Sequence, residues 1–232
     1  MSTSLFSTFY CLTLLLFSLN GYAQPASTGK VKADYKYQLY LPKGYSATKT
    51  AYPLVIYLHG GSQRGNDLTK LNVYGPPSLV SKGQDFPFII ASPQCPDDKF
   101  WSTDNWFEPL YADLTTKYRI DPKRVYLTGI SMGGYGAWQT AVAYPDKFAA
   151  VVPLCGGCDD STQVCNIKNI PIWTFHGTAD DLIPIDETER LVRRLEQCRG
   201  NVKFTRLKNT GHDIQYLYED KSIYRWMLQQ HN

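Results

Sequence analysis

The chain is poor in histidine, with only four in 232 residues, at positions 59, 176, 212 and 231. Any chemistry that needs an imidazole base must draw on one of them. A long basic block is also missing: 24 Lys and Arg face 21 Asp and Glu, and the charges are scattered. This excludes the electrostatic footprint of a nucleic-acid binder and leaves a mixed, soluble surface. The CGGC of Cys155 to Cys158 has no second CxxC and no His pair at ligand spacing, which favours a structural role over a zinc site or a redox pair. Beyond the N-terminal segment there is no repeat, linker or low-complexity stretch, so nothing marks a second domain. What is present is 43% hydrophobic content, enough at this length for one domain with a substantial core.

The first residues carry an apolar core from Phe9 to Leu19, then Asn20, Gly21 and small residues ending in Ala23. Such a run is short for a bilayer and reads as a secretory signal peptide, residues 1–23, cleaved before Gln24. No Lys or Arg precedes it, a departure from the usual pattern that keeps an uncleaved anchor as the alternative. Cys11 lies inside the run and is expected to leave with it. The expected localisation is secreted or periplasmic, with no stable membrane partner after cleavage. In an oxidising compartment disulfides persist. The remaining cysteines, 95, 155, 158, 165 and 198, are odd in number, so at least one thiol stays unpaired in a monomer.

Short apolar runs recur at 54–58, 86–91, 125–127, 149–154, 172–175 and 202–207, after an alternating segment at 35–41. The continuous runs suit strands buried on both sheet faces, the alternating one a strand with one wet face. Helical spacing falls between them at 106–118, 132–144, 186–198 and 223–230. Asp186 with Glu189 three positions later resembles a capping box. Strands alternating with helices predict an α/β fold, a doubly wound and mostly parallel sheet flanked by helices.

The stretch GISMGG, Gly129 to Gly134, lies between the run at 125–127 and a helical segment. A strand-to-helix turn that sharp needs small neighbours, and the pattern G-x-S-x-G is that of a nucleophile elbow presenting Ser131. A serine hydroxyl needs a base, and the base needs a carboxylate to fix its tautomer. His231 sits in the C-terminal tail. His59 and His176 each end an apolar run before a Gly, where hydrogen bonds would fix loop geometry. His212, in NTGHD after the last strand, stands where chain order places the base. The acid belongs on the loop after the next-to-last strand, where Asp180 and Asp181 are both eligible by spacing. Backbone N–H groups of Met132 and of Gly61, in HGGSQRG, would form the oxyanion hole.

LHGGSQRG, GISMGGYGAW, FHGTADDLIP and GHD together closely resemble the α/β-hydrolase superfamily. Within it they resemble secreted esterases and peptidases related to family-one carbohydrate esterases (feruloyl and acetyl xylan esterases), polyhydroxybutyrate depolymerases and dienelactone hydrolases. The resemblance extends over nearly all of 24–232 and implies one catalytic domain without a large lid. It implies Asp180 as the acid, unpaired Cys95 and Cys155, and disulfide partners among Cys158, Cys165 and Cys198. Gln63 stands where many relatives carry an acidic residue, a difference expected to touch loop bracing. No metal or organic cofactor is implied. The expected substrate is a small-molecule or polysaccharide-linked ester, with Trp101, Trp106 and Tyr135 as candidate walls of its cleft. A prolyl-oligopeptidase-type peptidase and a catalytically silent binding module are the alternatives. Oligomeric state has no signature in the sequence.

Overall fold

The computed structural model describes residues 27–30, as backbone, and 35–232; the expected signal peptide and Cys11 lie outside them. In chain order the described residues form β1 (Ser27–Lys30), β2 (Lys36–Tyr40), β3 (Tyr52–Leu58), α1 (Pro76–Ser81), β4 (Ile89–Pro93), α2 (Phe107–Lys117) and β5 (Ile120–Ile130). There follow α3 (Met132–Ala143), β6 (Ala150–Leu154), β7 (Ile172–Gly177), α4 (Asp186–Gln197), β8 (Val202–Leu207) and α5 (Lys221–Leu228). Among the described residues no helix is long and apolar enough to cross a membrane.

One sheet runs β1-β2-β4-β3-β5-β6-β7-β8. β1 and β2 pair antiparallel with their neighbours, and β4 through β8 are parallel. The order reverses at β3, which pairs with β4 on one side and β5 on the other. A crevice at such a reversal, outside the carboxyl ends of the strands, is where open α/β sheets bind ligands.

β3 shows why its apolar run is continuous. Leu54, Ile56 and Leu58 join one core with Leu110 of α2, Trp138 of α3 and Leu191 of α4. Val55 and Tyr57 join the other, with Leu79 of α1 and Tyr224 and Met227 of α5. Helices cover both faces, so neither alternates with polar residues.

The capping box at Asp186 is corrected by the structure. Ile185 occupies the N-cap, which leaves Asp186 as the first helical residue with no side-chain cap bond. Glu189 instead accepts from Arg206 Nε at 2.8 Å and Arg193 Nη1 at 3.2 Å. Three acidic residues still fill the first turn, where the helix dipole favours them. Cys165 and Cys198 form a disulfide that ties the 3-10 turn Ser161–Ile167 to the end of α4, while Cys95, Cys155 and Cys158 are free and buried.

Candidate active site

Ser131 follows β5 without an intervening residue and precedes α3. Its backbone sits at φ 59°, ψ −122°, a region L residues avoid, and persists because its surroundings over-determine it. Ser131 N donates to Leu154 O at the end of β6 (3.0 Å), and Ser131 O accepts from Tyr135 N (3.1 Å). The neighbouring glycines answer a different need, close approach. A Cβ on Gly133 would lie 2.0 Å from Leu58 O, and one on Gly134 2.3 Å from Leu154 O. Either would push α3 off the sheet.

The Ser131 hydroxyl donates to His212 Nε2 at 2.8 Å. His212 lies on the segment after β8, and its Nδ1 donates to Asp180 Oδ2, also at 2.8 Å. The carboxylate can only accept, so Nδ1 carries the hydrogen and Nε2 is free to accept from serine. Asp180 follows β7 with a fully buried side chain; its Oδ1 accepts from Leu182 N (3.0 Å) and Ile183 N (2.9 Å). Burial opposes its ionisation, yet the Ile183 amide, His212 and the Leu182 amide together hold the carboxyl below its ordinary range. Asp181 is exposed. The two aspartates that spacing left equal are thus distinguished by contact with His212.

Of the other histidines, His59 is fully buried and accepts from Cys95 N at Nε2 (2.9 Å) while Nδ1 donates to Gly60 O (2.7 Å). Burial lowers its pKa to about 4, against the pull of the Gly60 carbonyl. It braces the HGG turn, as does buried Gln63, whose main-chain carbonyl accepts from Gln94 Nε2 and whose side-chain Nε2 donates to Lys70 O. That turn abuts the serine: a Cβ on Gly60 would lie 3.5 Å from Ser131 Cβ. Gly61 opens the 3-10 turn behind it, and Met132 N is the first N–H of α3, one of those without an intrahelical acceptor. His231 is exposed.

A cavity of about 450 Å³ opens beside Ser131, lined by Met132, Tyr135, Ile183, Trp101 and Phe100 among others. Among the described residues no inserted helical domain covers this face. Tyr135 is half-buried, and burial together with Glu187 pushes its phenol up to about 12. The two tryptophans that the sequence offered as cleft walls present little surface to solvent. Trp101 is 3% exposed with Nε1 bonded to His59 O, and Trp106 is 2% exposed with Nε1 bonded to Trp101 O. Trp101 borders the Ser131 cavity, and Trp106 borders the cavity that adjoins it. Their indole N–H groups bond to buried carbonyls, so each is anchored in the core while one edge borders the groove. The aromatic face turned to solvent is the one sequence reading missed, Phe100, 58% exposed with the Arg64 guanidinium 5.3 Å from its ring.

Two more residues stand closer to the site than the sequence placed them. Cys155 follows β6 at φ 37°, fully buried, with Sγ 3.9 Å from His212 O; burial pushes its thiol up to about 12. Cys155, Asp180 and His212 offer potential ligand atoms within 4.8 Å of one another. Both His212 nitrogens are engaged and the thiol is held protonated, so this cluster is built for hydrogen bonding. His176 is the other, with Nε2 facing Asp180.

A mostly parallel, doubly wound sheet with serine, aspartate and histidine after β5, β7 and β8 defines an α/β-hydrolase. Within that class the chain belongs to the phospholipase/carboxylesterase family, whose family model matches residues 98–218, just over half of the chain. It is similar to a thermostable esterase of known structure, at 32% identity over 89% of this chain and 63% of that one, with a TM-score of 0.73. It is similar to "Probable feruloyl esterase C" of Aspergillus terreus, 30% identical over 179 residues, 71% of this chain and 62% of that protein. It also matches a bifunctional acetylxylan esterase/xylanase of Neocallimastix patriciarum, 28% identical over 147 residues, 61% of this chain. The chain spans about a fifth of that last protein's length and less than two thirds of the other two.

Proposed function

We propose that residues 24–232 are one catalytic domain, a serine hydrolase that cleaves carboxylic esters. The observation that carries this reading is the unbroken hydrogen-bond chain from Ser131 Oγ through His212 to buried Asp180, each link 2.8 Å. Ser131 Oγ attacks the ester carbonyl carbon as His212 Nε2 takes its proton. Asp180 holds the imidazolium in orientation and balances its charge. N–H groups of Met132 and Gly61 hold the oxyanion, each such donor worth about 3–4 kcal/mol of barrier. The intermediate collapses, the alcohol leaves with the proton from His212, and an acyl-Ser131 ester remains. Water, deprotonated by His212, then releases the acid and restores the serine.

The acyl group we infer is feruloyl or acetyl, carried on plant polysaccharide, supported by the named activities of the relatives. Export to the periplasm or outside is supported by the N-terminal composition and by the Cys165–Cys198 disulfide, a bond that persists in oxidising compartments. Turnover of a short-chain aryl ester tests the reaction: Ser131→Ala should lower it by about three or more orders of magnitude. Equal rates in the two proteins would refute it.

A further inference from the structure

The cavity beside Ser131 does not end there. A second, of about 500 Å³, continues along α3 and shares Trp101, Ser102, Gln139 and Asp159 with the first. Met132, Tyr135, Gln139 and Val142, spaced along one side of α3, border the combined groove. The 12 residues of α3 give it a length of about 18 Å. That exceeds what a small acyl group can fill.

The two lobes differ in chemistry. The one at Ser131 is bordered by Phe100, Trp101, Met132, Tyr135 and Ile183. The distal one is bordered by Asn105, Tyr144, Gln163 and the carboxylates of Asp104, Asp159 and Asp160, and among the described residues no Lys or Arg lines either. Asp104 is paired with Lys99 at 2.5 Å. Asp159 is exposed at the junction, and its Oδ2 accepts from Gln139 Nε2 at 2.6 Å, which fixes the carboxylate while leaving it capacity for further donors. Tyr144 and Asn105 close the far end through a 2.9 Å bond from the Tyr144 hydroxyl to Asn105 Oδ1.

Asp159, braced by Gln139 and with no Lys or Arg among the lining residues beside it, suits a ligand that offers hydroxyl donors and no negative charge. An anionic chain or phosphate headgroup would meet like charge across the junction. We infer that the distal lobe is a subsite for the alcohol part of the substrate, a neutral oligosaccharide chain, with the acyl group in the lobe at Ser131. This rests on the esterase reading and adds to it the part of the groove that takes the sugar chain.

The test separates the two. Unesterified xylotetraose is titrated into the Ser131→Ala protein by calorimetry, and again with Ala143→Trp or Gln139→Ala added. Ala143 is an exposed lining residue on α3, so the indole fills the lobe without entering the core. Binding should weaken at least tenfold with Ala143→Trp and severalfold with Gln139→Ala, whose smaller side chain removes the brace on Asp159 without adding bulk. With active protein, Ala143→Trp should lower kcat/KM for an acetylated xylo-oligosaccharide at least tenfold more than for 4-nitrophenyl acetate, mainly through KM. Glucuronate-bearing oligomers should be poorer substrates than neutral ones, and Asp159→Asn should narrow the gap. Undiminished xylotetraose binding in Ala143→Trp, an unchanged ratio of the two esters, or preference for phospholipid micelles would overturn the subsite. Aryl ester turnover that survives Ser131→Ala overturns the esterase reading itself.

Discussion

His176 Nε2 lies 3.2 Å from Asp180 Oδ2, the same oxygen that accepts from His212 Nδ1. Its other near neighbour, Ile183 O at 2.9 Å, is also an acceptor, so Nε2 must carry a hydrogen. On the far side, His176 Nδ1 meets Thr188 Oγ1, which bonds to Gly156 O. Asp180 is therefore gripped from both sides. His176→Phe should lower kcat on an aryl ester about tenfold or more with little change in KM, in line with about 1.5–3 kcal/mol for a hydrogen bond to a charged group. His176→Gln should recover part of the loss. Unfolding midpoints measured alongside identify a merely structural effect, which would leave kcat per folded molecule unaltered.

The two aspartates can be told apart directly. Asp180→Asn should cost about three to four orders of magnitude in kcat by disturbing the His212 tautomer. Asp181→Asn, at an exposed side chain, should stay within about threefold. The same substitution at Asp180 bears on acid stability. Its folded pKa is depressed, so its contribution is present above the ordinary carboxylate range and is lost as pH falls through the folded value.

His59 sets a second pH window with its own sign. Its pKa falls from 6.5 to about 4 on folding, so between those values the unfolded chain binds more protons and stability drops as pH falls. The loss should approach about 3 kcal/mol by pH 4. Urea unfolding at pH 7 and pH 4.5 checks this, and His59→Gln should flatten the dependence.

Two glycines should respond oppositely. Gly133→Ala places a methyl against the Leu58 carbonyl and should destabilise by at least about 3 kcal/mol or abolish folding. At Gly61 a Cβ meets nothing within 4 Å, so Gly61→Ala should unfold near the wild-type midpoint.

Reducing the Cys165–Cys198 bond, which closes a sequence separation of 33, should lower stability by about 3–4 kcal/mol on the loop-entropy account. Thermal unfolding of Cys165→Ala/Cys198→Ala without reductant checks the figure.

Ser131, Asp180 and His212 were legible because each follows a strand whose apolar run is itself visible. The surrounding motifs are local, and chain order supplied the rest. Phe100 and Trp101 were not separable, since which of two adjacent aromatics faces water depends on how residues 97–106 lie against α3. α1 was missed because six residues opening with two prolines carry no periodicity. The start of α4 was legible at Asp186, but the capping box was not, because Ile185, already in helical geometry, takes the N-cap place. His176 was placed as a loop-fixing residue, but its contact with Asp180 spans a turn whose closure no spacing encodes.

Ser131 is held by main-chain bonds to Leu154 and Tyr135, and its partners stand on the ends of β7 and β8, whereas the groove walls come mainly from residues 97–106 and 155–163 together with the outward side of α3. Reaction and selectivity are thereby written in separable parts of the chain. Libraries that randomise only those two segments, sparing Trp101, Trp106, Cys155, Cys158 and the glycines at 156 and 157, should keep the hydrolytic step while varying what it acts upon.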